Sequence, residues 1–176
     1  MKELASIDII NDETLRGRIW ALSLVPLALG VMTAALLGVL GMGEKSSFPW
    51  SVALLVLFAA SLPVHELVHA AAFKLLVPGC RITFEARAGM LATNANGAVM
   101  TRAASLAVLL APLVLVTPVL FAAPMAMGSP VMAALEAFLH LSGCAGDLLM
   151  AVLVAHEPAC THVRDTDCGI DLLREG

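Results

Sequence analysis

The chain has 176 residues, of which 60% are hydrophobic and only 14% charged, with a mean hydropathy of +0.92. A soluble domain runs about 45–50% apolar and about 25% charged, so the composition excludes an ordinary water-soluble protein and fits one integral membrane domain over 1–176. The net charge of −4 comes partly from an acidic tail and says little about partners, but no basic patch suggests nucleic acid, and the lipid bilayer is the expected surrounding medium.

Residues 1–18 mix Lys2, Arg16 and Arg18 with Glu3, Asp8, Asp12 and Glu13. That mixture is unlike a signal peptide and reads as a short amphipathic or frayed segment, with Asp12 or Thr14 as N-cap. Ile19 to Gly43 is then free of charge for 25 residues, enough to cross about 30 Å of hydrocarbon. Glu44-Lys45-Ser46-Ser47 makes a polar turn. A second helix is expected over 48–77, stopped by Pro78-Gly79. Trp20 and Trp50 each open an apolar run, where a headgroup anchor belongs.

Over 81–102 the helical pattern stops. Ile82, Phe84 and Ala86 alternate with Thr83, Glu85 and Arg87, which is strand periodicity. Ala88-Gly89 and Asn96-Gly97 are turn candidates, the second a type I′ signal, so a small hairpin or three-stranded ribbon is expected. Helices three and four are expected over 103–127 and 131–155, the former kinked by Pro112, Pro118 and Pro124. Glu157-Pro158 ends helix four, and a solvated acidic tail follows. The expected fold is an all-α membrane protein of about four transmembrane helices, with a small β segment between helices two and three.

Lys and Arg fall in alternate connecting segments: three in 1–18, only Lys45 in the first loop, three in 78–102, none in 128–130, and two in the tail. The positive-inside bias then predicts a multi-pass protein of the cell membrane with both termini cytoplasmic. Cys80, Cys144, Cys160 and Cys168 show no CxxC spacing and are expected as free thiols.

Within this hydrocarbon the stretch Val64-His65-Glu66-Leu67-Val68-His69 stands out, because residues 50–64 carry no charge. His65 and His69 stack on one helix face, about 6 Å apart along the axis. Two imidazoles so placed can grip Zn²⁺, and Glu66 beside them can take a proton from a water held at the cation. Ionisable residues inside a membrane cost about 2.5–3.5 kcal/mol or more, which favours a functional role.

A catalytic zinc takes a third protein ligand. Counted from the outer ends of their helices at 1.5 Å per residue, His65 and His69 lie about 22 and 28 Å deep and Asp147 about 24 Å. Glu136 and His140 lie only about 8 and 14 Å in, and their i, i+4 spacing lets them pair with each other. Depth therefore selects Asp147, with Cys144 as a rival ligand and with a capping or supporting carboxylate as the alternative role. The small run Ser142-Gly143-Cys144-Ala145-Gly146 permits the close helix approach that a shared cation demands.

HELVH in an apolar helix, a β segment, LHLSGCAGD in a later helix and an acidic tail together resemble a family of small bacterial membrane proteins grouped as zincin peptidases, over about residues 50–173. More distantly the chain is similar to intramembrane metalloproteases of the site-two-protease type, which take a late-helix Asp as third zinc ligand; their Asn-Pro-Asp-Gly signature is missing here. The resemblance implies a zinc peptidase acting on a membrane protein or peptide, with His65, His69 and Asp147 on the metal and Glu66 as general base. A membrane hydrolase of lipids or other amides, a metal-binding protein without catalysis and a scaffold are the alternative classes.

Overall fold

The computed structural model describes residues 1–44, 47–87 and 89–176. Lys45 and Ser46 of the expected polar turn, and Ala88 of the Ala88-Gly89 turn, lie outside these residues. Three long helices cover most of the charge-free runs: α1 (Glu13–Val39), which begins six residues before the expected start and stops four short of Gly43, α2 (Phe48–Leu76) and α3 (Arg102–Ala126). Each is long and apolar enough to cross a membrane. Leu24, Val31, Met32, Leu55 and Leu67 stand exposed on α1 and α2, as lipid-facing side chains do. The expected fourth helix is broken at Cys144 into α4 (Pro130–Gly143) and α5 (Ala145–His156), which make a fourth span if counted together.

Six strands complete the chain: β1 (Lys2–Asp8), β2 (Thr83–Arg87), β3 (Met90–Asn94), β4 (Val99–Thr101), β5 (His162–Thr166) and β6 (Gly169–Arg174). Contacts divide the chain into two compact units. One comprises Met1–Ile19, Glu66–Ala111 and Gly146–Gly176, the other Trp20–His65 and Pro112–Ala145.

In the first unit, β1, β6, β5 and β4 form an antiparallel sheet in that order, while β2 and β3 pair antiparallel as a separate two-stranded sheet. Two expectations are corrected here. The N-terminal segment is not frayed: Lys2 pairs with Arg174 and Asp8 with Gly169. The tail is not solvated but supplies two strands, with Val163, Ile170, Leu172 and Leu173 buried. Of these, Val163, Ile170 and Leu172 join Ile7, Phe73, Met100, Val108, Leu109, Ala151 and Val154 in one apolar core. Asp12 is the N-cap of α1, its Oδ1 accepting the N–H groups of Thr14 and Leu15 at 2.8 and 3.1 Å. At the β5–β6 turn only glycine fits, because a Cβ on Gly169 would collide with the carbonyl of Ile7.

Asn96-Gly97 also departs from expectation. Gly97 has φ +75°, but the turn leads from β3 into β4, which pairs with β5 in the other sheet, so it closes no hairpin. Asp165 of β5 holds this turn by three bonds. Its Oδ2 accepts the Ala95 N–H at 2.6 Å, its carbonyl accepts the Gly97 N–H at 2.9 Å, and its own N–H donates to the Ala98 carbonyl at 2.9 Å.

Burial pushes the Asp165 carboxyl up to about 7, reinforced by the charge of Asp167 and opposed by the Ala95 hydrogen bond and by His69. The folded chain therefore holds this proton more tightly than the unfolded chain. The stabilisation is complete below about pH 4 and is lost, by up to about 1.4 kcal/mol per pH unit, as pH rises toward 7. Asp165→Asn keeps an acceptor for Ala95 without the charge. It should flatten that slope and raise the Tm above pH 7, read as thermal unfolding in detergent from pH 4 to 8. A slope identical to wild type would contradict the assignment.

In the second unit, Glu44 accepts the Val131 N–H at 2.8 Å and the Trp50 indole N–H, tying the starts of α4 and α2 together. Ser142 Oγ donates to the Ser23 carbonyl at 2.8 Å. A Cβ built on Gly30 would lie 2.7 Å from Cβ of Phe138, so α1 and α4 touch where only glycine fits.

Candidate metal centre

In the first unit the site begins at His69, which is 6% exposed on α2. Its Nδ1 donates to the Val108 carbonyl at 3.0 Å. That carbonyl is available for a reason written in the chain. Its ordinary helical donor would be the N–H of residue 112, and Pro112 has none. A neutral ring that keeps its proton on Nδ1 offers the Nε2 lone pair to a cation, and Nε2 stands 3.4 Å from Asp147 Oδ2. Nitrogen and oxygen ligands bonded at about 2.0–2.2 Å to one tetrahedral cation stand about 3.3–3.5 Å apart. The donor pair therefore fits Zn²⁺ held between its two atoms. Asp147 lies in the first turn of α5, which starts anew after Cys144. The continuous helix behind the depth estimate is thus corrected, while the pairing of His69 with Asp147 is observed.

Glu66, three residues before His69, is held by β3. Thr93 Oγ1 lies 2.7 Å from Glu66 Oε2 and 3.1 Å from the Glu66 carbonyl oxygen. Asp165 secures the end of that strand through Ala95. The C-terminal sheet therefore reaches Glu66 by way of β3.

In the second unit His65 ends the segment Trp20–His65, one helical turn before His69 on the same helix α2. Its Nδ1 lies 3.2 Å from His140 Nε2, and His140 Nδ1 lies 2.8 Å from Thr117 Oγ1. Cys144 Sγ is 3.7 Å from His140 Nδ1 and 4.0 Å from His65 Nδ1. His65, His140 and Cys144 each offer an atom within 4.8 Å of the others, so Cys144 does stand at ligand distance. The expected Glu136–His140 pair does not form: Glu136 is fully buried, and neither carboxylate oxygen has a hydrogen-bond partner among the described residues.

Sequence reasoning missed Thr93, Val108 and Thr117. Only Val108 left a trace, as the carbonyl four residues before a helical proline.

Long apolar helices, an HExxH pair and an acid set against its second imidazole define a membrane protein with the ligand chemistry of a zinc site. A family model described as "putative zincin peptidase" matches residues 58–162, more than half of the chain, and the chain belongs to that family. No curated protein and no solved structure matches it.

Proposed function

We propose that the protein is a zinc-dependent intramembrane peptidase in which His65, His69 and Asp147 hold Zn²⁺ and Glu66 is the general base. The observation that carries this reading is the His69–Asp147 pair, with the tautomer of His69 set by Val108. His65 enters by its helical spacing. When bound, zinc supplies a Lewis acid that polarises the scissile carbonyl and acidifies water. Glu66 takes the proton of the attacking water and returns it to the leaving amine as the C–N bond breaks. Thr93 steadies one carboxylate oxygen while the other handles the proton. Chelation should abolish cleavage of a membrane-spanning reporter and zinc should restore it; cleavage indifferent to chelator would contradict the reading.

A peptide bond inside an intact helix is hard to attack, so the substrate, a membrane protein or peptide, needs an extended docking surface. β3 carries Thr93 and pairs with β2 on one side only among the described strands, so its other edge can receive an added strand close to Glu66. Proline at whichever of Leu91 and Ala92 directs its N–H to that edge should cut cleavage without releasing zinc. Unchanged cleavage would remove this docking mode.

We also assign both termini to the cytoplasmic face of the cell membrane. Lys and Arg cluster in the N-terminal segment, in 78–102 and in the tail, and these three segments meet in one sheet through β1, β4, β5 and β6.

A further inference from the structure

The second unit holds a hydrogen-bonded series that the peptidase reading does not use: Thr117 Oγ1, His140 and His65 Nδ1, with separations of 2.8 and 3.2 Å. We propose that His140, itself held by Thr117, is a positioning residue that fixes His65 as a metal ligand through Nε2. This rests on the peptidase reading above.

The argument is one of proton placement. A neutral imidazole carries one N–H, so a His that gives its Nε2 lone pair to a cation carries its proton on Nδ1. That Nδ1–H needs an acceptor, and in metal sites it nearly always finds one. For His69 the acceptor is the Val108 carbonyl. For His65 the atom in place is His140 Nε2, which accepts only if the proton of His140 is on Nδ1. Thr117 Oγ1 stands there to receive it. The series thus has one consistent direction, from His65 to His140 to Thr117. His140 is 3% exposed, so water does not readily replace it.

The same residues could instead hold a cation together with Cys144. The relay is favoured because the thiol approaches His140 at Nδ1, 3.7 Å away, whereas His65 meets the opposite ring nitrogen. Thr117 already occupies the edge that the thiol faces. The thiol also stands 4.0 Å from His65 Nδ1, so a cation on His65, Cys144 and one nitrogen of His140 is the competing arrangement that the cobalt spectrum tests.

The test is zinc affinity of full-length protein in detergent, by competition with a chelator, beside the absorption spectrum of the cobalt-loaded protein. Loss of an outer hydrogen-bond partner typically weakens metal binding 10–100-fold. His140→Leu should show that loss, and Thr117→Val a smaller one. His140→Gln, whose amide oxygen can accept from His65, should stay within about threefold of wild type. The wild-type cobalt spectrum should lack a thiolate charge-transfer band. Wild-type affinity in His140→Leu, or an equal loss in His140→Gln, would overturn the role of His140. So would a thiolate band that disappears in Cys144→Ala. His69→Ala separates the two levels: if it abolishes zinc binding, the metal centre stands and only the relay has failed. If zinc and a thiolate band both survive it, the peptidase centre has failed as well.

Discussion

Glu66→Gln is expected to bind zinc as wild type does and to lose cleavage by about 10²–10⁴-fold, the range for removing a general base. Gln is isosteric with Glu, so the Thr93 hydroxyl, now 2.7 Å from Oε2, keeps an oxygen to bond. The cation ligands are untouched, and only proton transfer is removed. The check is paired measurement of zinc content and reporter cleavage on the same preparation. Retained cleavage would show that the carboxylate is not the base. Lost zinc would show that Glu66 belongs to the ligand set rather than beside it.

Deleting residues 159–176 is expected to abolish folding, with activity lost as a consequence. The deletion removes β5 and β6, leaving β1 and β4 without partners and the Ala95–Ala98 turn without Asp165. It also strips Val163, Ile170, Leu172 and Leu173 from the core. At about 1.5–3 kcal/mol for each buried side chain, these four contribute about 6–12 kcal/mol. That matches the whole stability of a typical domain, about 5–15 kcal/mol. The readout is the yield of monodisperse protein in detergent, with its thermal unfolding. A truncated chain that purifies and unfolds like wild type would contradict the sheet. Substituting only exposed Arg174 should leave both measures unchanged.

The helices were legible because hydrocarbon leaves its mark directly in sequence: runs without charge became α1, α2 and α3, and α2 ends within a residue of expectation. The candidate site was legible for the same reason. His65, Glu66, His69 and Asp147 are costly in such runs unless they serve something. What escaped depends on distant partners. Lys2–Asp8 becomes a strand only because Gly169–Arg174 lies beside it, at the other end of the chain. The tail looked solvated because its acids are conspicuous; the alternation of Val163 and Asp165 around Arg164 is intelligible once β4 and β6 flank it. The small residues around Cys144 permit close packing, yet glycines on both sides also make a weak helix, and there it breaks. From sequence alone Pro112 predicts a kink in α3. Its observed consequence is a carbonyl freed for His69, which needed the position of α2 to be known.

The most direct test of a cation shared by α2 and α5 is zinc per chain in purified wild type beside His65→Ala and Asp147→Ala. Wild type should carry one zinc and each variant close to none. A full complement of zinc in both variants would contradict the account.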